Sequence, residues 1–421
     1  DSMRVIQNKK FNRILDFAYN NVTAYREICE EEGISPEDVE GIDDIEKLPV
    51  LDKSYFLDNV REDLLAVPES EISRYFTSSG TNGEPKEIGF TDSDLQNIYD
   101  FMELALGIFD GNIEKVLNEF AYGEWPTGVL THEGMEEAGI ECIKGSMEGD
   151  IDDQLGIILE EEPDAIFGLP SYLGKLAKEA EEKGIDLSEH NVSRIVLGGE
   201  PSGELREKLS ELYGAEAINS YGATETDITV GMECEEHNGL HISPYLYAEV
   251  VDPDTDEVLE PGEQGNLVLT NLVRRGMPLI RYDIGDLTAL YQEDCECGRP
   301  LQRVKEIEHR SDDILQLGGA NVSVKDLGRQ LESITPEYRC EIDKRGDVVP
   351  SLNLVVGDGM REDRVLEDLV GSDTKMPSEF VNSYEKGLFE INIERVEDSE
   401  DLKQSRSGVS GKKEHNIEVI T

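Results

Sequence analysis

Asp164-Ala165-Ile166-Phe167-Gly168-Leu169, Val192-Ser193-Arg194-Ile195-Val196-Leu197 and Glu216-Ala217-Ile218-Asn219-Ser220 are the three short apolar runs whose reading decides the fold. Each has the length of a buried strand, and residues 171–183 and 202–213 read as the helices between them. Strand, helix, strand, helix, strand in units of this size implies right-handed crossovers and a parallel sheet covered on both faces. Ligands of such sheets bind beyond the carboxyl ends of the strands. Those ends carry Gly168-Leu169-Pro170-Ser171-Tyr172, Gly198-Gly199-Glu200-Pro201 and Ser220-Tyr221-Gly222-Ala223-Thr224-Glu225.

Upstream, Tyr75-Phe76-Thr77-Ser78-Ser79-Gly80-Thr81-Asn82-Gly83-Glu84-Pro85-Lys86-Glu87-Ile88-Gly89-Phe90-Thr91 gathers small, hydroxyl-bearing residues around one lysine. Gly80 and Gly83 can turn backbone amides toward an anion, Thr77, Ser78, Ser79 and Thr81 add hydroxyl donors, and Lys86 supplies a point charge. Lys86 follows a proline and no Ser or Thr comes next, which is not the spacing of a Walker-type nucleotide loop.

The 421 residues exceed one ordinary core, so two or three domains are expected. Asp and Glu number 93 against 39 Lys and Arg, a net charge of −54 spread along the whole length. Such a surface repels nucleic acid and anionic lipid, which excludes both as general partners. A hydrophobic content of 38% in clear runs argues for a folded protein, and an acidic coat on a folded protein suggests adaptation to high salt. No stretch approaches 18 consecutive apolar residues and no signal-peptide pattern is seen, so a cytoplasmic protein is expected. Six cysteines are too few for a disulfide scaffold of this size. Cys234, Cys295 and Cys297, with His237 or His241, offer three thiolates and one imidazole, a closed tetrahedral set suited to structural zinc.

Farther along, residues 245–290 alternate in short strands around the turns Asp252-Pro253-Asp254 and Pro261-Gly262-Glu263, as in an antiparallel subdomain. Apolar positions from Phe11 to Tyr25 recur every three or four residues, as in a helix with one buried stripe over residues 11–32. Beyond residue 312, strand patterns at 348–356 and 388–396 flank a helix at 361–369, which reads as a small α+β domain.

The glycine-rich stretch resembles the phosphate-binding loop of the acyl-adenylate-forming enzymes, Ser/Thr-Ser-Gly-Thr-Thr-Gly-x-Pro-Lys, with Asn82 where threonine is usual. Ser220-Tyr221-Gly222-Ala223-Thr224-Glu225 resembles their second signature. That resemblance places Tyr221 beside adenine, Thr224 on phosphate and Glu225 on magnesium. Gly198-Gly199-Glu200-Pro201 is similar to the adenine-side wall. Arg281-Tyr282-Asp283-Ile284-Gly285-Asp286 resembles an Arg-Tyr-x-x-x-Asp signature whose last carboxylate, here Asp286, accepts both ribose hydroxyls. Arg310-Ser311-Asp312-Asp313 is similar to the family's hinge segment, with His309 in place of a glycine; Arg310 would contact the nucleotide and Asp312 would be the hinge. The tail Ser407-Gly408-Val409-Ser410-Gly411-Lys412-Lys413 resembles the terminal Gly-Lys, whose lysine reaches the acyl carboxylate and α-phosphate, with Lys412 preferred and Lys413 as the rival.

Residues 23–26 and 43–53 are most similar to the lead-in of phenylacetate–coenzyme A ligases, some of which pair a cysteine with a histidine seven residues on; that favours His241 and leaves His237 open. The resemblance implies an α/β fold: a large N-terminal domain, residues 1–311, of mostly parallel sheets covered by helices, with an antiparallel β subdomain at about 233–308 and a mobile α+β cap at 312–421. It implies ATP, Mg²⁺ and coenzyme A, an acyl-AMP intermediate and an acyl-CoA product, with structural Zn²⁺ and, by family habit, a homodimer. Tyr122-Gly123-Glu124-Trp125-Pro126 aligns with the acyl-pocket segment, which favours an aryl acid, while Glu124 keeps a polar or amine-bearing acid open. Another acceptor, a carrier-protein thiol or a deazaflavin, and a nucleotide-binding protein without turnover stay as alternatives.

Overall fold

The computed structural model describes residues 2–78, 86–107, 113–123, 125–307, 309–310, 314–335, 338–343, 348–357, 360–372, 374–396 and 417–420. At its centre is an eight-stranded mixed sheet. In spatial order its strands are Arg303–Val304, Leu240–Ile242, Asp227–Glu233, Glu216–Ala223, Arg194–Leu197, Ala165–Gly168, Lys115–Asn118 and Glu141–Lys144. The five from Glu216–Ala223 to Glu141–Lys144 are parallel, and the other three continue the sheet in antiparallel register. The parallel core reads as continuous apolar runs because both faces are covered: Ile166, Ile195, Val196, Val116 and Leu117 have no exposed surface. Each such side chain contributes about 1.5–3 kcal/mol by leaving water.

The helices begin where local chemistry allows. Pro170 and Pro126 open Pro170–Glu182 and Pro126–Glu137, where a missing N–H costs nothing. Thr91 and Asp94 form a reciprocal capping box at the start of Asp92–Leu106, worth about 1 kcal/mol. The expected helix over 202–213 starts later, at Leu205–Tyr213, because residues 198–204 are spent on the loop leaving the sheet. The expected single helix over 11–32 is two, Ser2–Asn21 and Thr23–Glu31, broken at Val22 in an extended conformation. The buried stripe survives the break: Phe11, Leu15, Ala18, Val22, Tyr25 and Cys29 all face the core.

Residues 245–290 form Leu246–Val251, Gly265–Asn271 and Tyr282–Thr288, which pair antiparallel and gain His309–Arg310 as a fourth strand. Most buried apolar side chains of the C-terminal part, from Leu317 to Ile417, make a second cluster, while Leu388 joins the main core. Here Glu390–Val396, Ser351–Gly357, Tyr338–Asp343 and Ile417–Ile420 form a four-stranded mixed sheet against Val324–Ile334, Glu362–Val370 and Ser378–Glu385. The first and last of these helices were not expected; Phe380 of the last packs on Phe389 with ring centroids 5.0 Å apart.

A hairpin of Ile314–Leu317 and Ala320–Ser323 turns on Gly318 and Gly319, both at positive φ (58° and 78°), as tight hairpins demand. It lies against the main body: a Cβ on Gly319 would sit 2.8 Å from Leu169 Cδ1. Among the described residues no helix is long and apolar enough to cross a membrane.

Candidate functional site

Strand Glu216–Ala223 changes partners at its carboxyl end, parallel to Arg194–Leu197 on one side and antiparallel to Asp227–Glu233 on the other. The register slips between Tyr221 and Ala223, and only glycine fits between them: a Cβ on Gly222 would lie 1.9 Å from the Ile228 carbonyl oxygen. The turn beyond it carries Thr224 and Glu225. Lys86 opens the strand Lys86–Phe90, opposite Ser78 in the hairpin with Arg74–Ser78. Its Nζ lies 3.2 Å from Glu225 Oε1 and donates to the Tyr282 hydroxyl at 3.1 Å. Both charged side chains are largely shielded, 14% and 18% exposed, which strengthens their attraction over that of a surface pair. The Phe56 and Tyr282 rings flank the ammonium at 5.3 and 5.8 Å. Residues 139 and 196 positions apart in sequence thus meet at one cation. Thr77 is half-buried on the same hairpin, and of Ser78 only the backbone is described. Ser79, Gly80, Thr81 and Gly83 lie outside the described residues.

Asp286 is the second focus. It is 5% exposed and accepts from the Tyr221 hydroxyl at 2.5 Å and from Arg310 Nη1 at 2.9 Å. Burial, then the adjacent Asp286 charge, raises the Tyr221 phenol well above its ordinary value, so it stays a donor. Arg310 reaches Asp286 because the two face each other across paired strands, and Arg310 Nη2 also donates to the Ile284 carbonyl. Asp312 lies outside the described residues, as do Lys412 and Lys413. Arg281 faces away, in a buried pair with Glu249 (3.1 Å), and donates to the Leu48 carbonyl at 2.6 Å, tying the N-terminal segment down.

The Gly198–Pro201 turn is tightly constrained. A Cβ on Gly198 would lie 2.6 Å from Ser220 Oγ, and one on Gly199, at φ 84°, 2.5 Å from Leu169 Cδ2. Ser220 Oγ donates to the Leu197 carbonyl. Glu200 accepts the Ser171 amide at 2.6 Å with one oxygen and the Gly319 amide at 2.8 Å with the other. It therefore joins a helix N-terminus to the C-terminal hairpin. Pro201 leads to Ser202, which donates to Asn219 Oδ1.

Tyr122 stands farther off, with its hydroxyl 2.9 Å from both His132 Nδ1 and Asn118 Nδ2 and its ring under Lys144. Gly123 follows it, and half-buried Trp125 precedes the helix Pro126–Glu137; Glu124 lies outside the described residues. After Ser220, the next neighbour of Gly198 is Phe120, 3.5 Å from the position of a Cβ there. Sequence reading missed Phe120 and the direct role of Tyr282, although both sit inside or beside segments it quoted.

At the far edge of the sheet Cys234, His241, Cys295 and Cys297 bring one ligand atom each within 4.8 Å of the others. Cys234 Sγ and Cys295 Sγ are 3.7 Å apart, and Cys297 Sγ and His241 Nε2 3.4 Å. A tetrahedron with metal–sulfur bonds of about 2.3 Å and metal–nitrogen bonds of about 2.0 Å has edges of about 3.8 and 3.5 Å. His237 is engaged elsewhere, 3.0 Å from Glu216 Oε1.

Residues 38–272 match the model of the family described as AMP-binding enzyme. A phenylacetate-coenzyme A ligase of Thermus thermophilus is 34% identical over 354 residues, 82% of this chain and 79% of that protein. One from Escherichia coli is 32% identical, covering 82% and 80%. Among solved structures, a 2-hydroxyisobutyryl-CoA ligase in complex with 2-HIB-AMP and CoA matches with a TM-score of 0.79 at 21% identity, over 99% of this chain and 89% of that one.

Proposed function

The chain belongs to the AMP-binding enzyme family, and from that premise we propose that it is an ATP-dependent carboxylate–coenzyme A ligase that forms an acyl-AMP and then an acyl-CoA thioester. The observation that carries this reading is the convergence of Lys86, Glu225 and Tyr282 beside the Asp286–Tyr221–Arg310 cluster. A carboxylate is a poor target for a thiol. In the first half-reaction a carboxylate oxygen of the acid attacks the α-phosphorus of ATP, the bond to the β-phosphate bridge breaks, and pyrophosphate leaves. In the second, the thiol sulfur attacks the acyl carbon and AMP departs.

Lys86 and the amides and hydroxyls of residues 77–83 would hold the departing pyrophosphate, with Thr224 beside the α-phosphate. Glu225, a hard oxygen donor open on one side, suits Mg²⁺, which supplies charge neutralisation on the phosphates when bound. Asp286 would accept the ribose hydroxyls while Tyr221, Gly222, Ser220 and the Gly199–Glu200–Pro201 turn flank adenine. Arg310, which donates to Asp286, would contact the nucleotide. Lys412, or Lys413, would counter charge at the acyl carboxylate.

The division proposed is an N-terminal body of residues 1–311 and a cap of 312–421 turning about Asp312. The separate C-terminal apolar cluster supports it. An aryl acid is the proposed substrate, on the kinship with phenylacetate–coenzyme A ligases and the aromatic residues Tyr122 and Trp125. Cys234, His241, Cys295 and Cys297 are proposed to hold a structural Zn²⁺, on their near-tetrahedral spacing.

The test is pyrophosphate exchange into ATP with a panel of aryl and aliphatic acids in molar potassium chloride, followed by addition of coenzyme A. Exchange with at least one acid, then thioester formation, is the expected result. Folded protein that exchanges with none of them overturns the reading, and exchange without thioester moves the acceptor away from coenzyme A.

A further inference from the structure

Arg274 is 4% exposed and packs against the Glu225 turn. Its Nη1 donates to two successive carbonyls, Glu225 at 2.8 Å and Thr226 at 2.7 Å. Those carbonyls point into the interior, where an unpaired acceptor is costly. Its guanidinium also lies 4.1 Å from the centroid of the Phe90 ring. Phe90 closes the strand that Lys86 opens. One side chain thus grips both the backbone of Glu225 and the strand that carries its lysine partner.

Its own anchorage is firm. The next two amides, of Arg275 and Gly276, donate to Asp94 at 2.7 and 2.9 Å, and Asp94 closes the capping box with Thr91. Gly276 is pressed so close to the hairpin that a Cβ there would be 2.6 Å from the Gly89 carbonyl oxygen. The Asp94, Asp227 and Glu225 carboxylates favour the buried cation, although burial outweighs them. Asn271 Nδ2 adds a further bond to the Thr226 carbonyl at 3.1 Å. The turn is therefore held by its backbone carbonyls, while its carboxylate pairs with Lys86.

We propose that Arg274 is a positioning residue for the adenylation step: by clamping the Glu225 and Thr226 carbonyls against the Lys86 strand, it aims the Glu225 carboxylate at the metal–triphosphate. The inference rests on the reading of Glu225 as the magnesium ligand. It separates Arg274 from a core cation that only satisfies two carbonyls, since that role would affect stability and leave metal-linked binding alone. Lysine can donate to both carbonyls but lacks the planar face that stacks on Phe90, so Arg274→Lys should fall between wild type and Arg274→Met.

The test is equilibrium calorimetric titration of the full chain with ATP in magnesium and in EDTA, at molar potassium chloride, for wild type, Arg274→Lys and Arg274→Met. Wild type should bind ATP about tenfold or more tightly in magnesium. Arg274→Met should hold ATP in EDTA within about threefold of wild type yet lose most of the magnesium gain, and its pyrophosphate exchange should need correspondingly more magnesium. A full magnesium gain in Arg274→Met refutes the proposal, as does an equal loss of affinity with and without the metal. If Arg274→Met does not fold, Arg274→Lys decides: a gain equal to wild type overturns the assignment, a reduced one supports it. Wild type with no magnesium gain at all removes the reading of Glu225 and the proposal with it.

Discussion

Glu119 follows the Lys115–Asn118 strand with no exposed surface, among strand ends and helices. Its carboxylate accepts the Ser146 amide at 3.0 Å, and the Gln154 amide nitrogen reaches its two oxygens at 3.3 and 3.2 Å in the orientation that satisfies both groups. A Cβ on Gly145 would touch Oε2 at 2.6 Å, so the site has no slack. Burial outweighs the Ser146 bond and pushes the group up from the ordinary 4.5 to about 7. The folded protein then holds this proton more tightly than the unfolded chain, so folding loses stability as pH rises from 4.5 to 7 and carries the full cost above that. At 1.36 kcal/mol per tenfold in proton affinity, the cost is about 3 kcal/mol.

Glu119→Gln removes the charge but keeps an acceptor for Ser146. The variant should match wild type within about 0.5 kcal/mol at pH 4.5 and exceed it by roughly 2–3 kcal/mol at pH 8. Urea unfolding followed by circular dichroism across that range, in molar salt, reads the difference, in which the many other carboxylates cancel. A gap that stays constant with pH, or that closes as pH rises, would refute the reasoning.

Replacing Lys86 by methionine keeps the stem between Phe56 and Tyr282 and deletes the positive charge that pairs with Glu225; pyrophosphate exchange should fall by about 10²–10³, and a loss under about threefold would show that the lysine is not at the reacting phosphates. Purified protein should carry one zinc per chain by elemental analysis, with Cys297→Ser lowering both zinc content and melting temperature; full-length protein that stays metal-free after refolding in zinc would refute the site. With a net charge of −54, transfer from molar potassium chloride to dilute buffer should cost most of the helical dichroism, and a spectrum unchanged by that transfer would end the salt-adaptation reading.

Three of the five parallel strands were legible because they are buried on both faces, which leaves unbroken apolar runs that few other structures require. Boundaries were less so. Nothing between Phe11 and Glu32 marks the break at Val22, since Val22 is as buried as the stripe it interrupts and the interruption satisfies packing, not propensity. The chemistry-bearing segments were legible as residue types in order: Lys86 after its glycines, Glu225 after Tyr221 and Gly222, Asp286 after Tyr282. Arg274 gave no such sign. Its importance comes from two carbonyls about fifty positions earlier that turn inward, and a chain read in one dimension does not show which carbonyls lack a donor.

The linear chain therefore determined the α/β plan and offered most of the candidate site's residues, because both follow from short-range patterns of apolar, small and charged residues. It favoured His241 over His237 as partner for the cysteines only through the family resemblance. Folding separated them, by putting Glu216 beside one ring and Cys297 beside the other. Only the tertiary structure likewise decided that Arg281 would spend its charge on Glu249 and that Glu200 would hold the C-terminal hairpin. The reason is physical: a buried polar group is assigned its partner by whatever donor or acceptor packing brings within about 3 Å, and that neighbour is set by the whole fold.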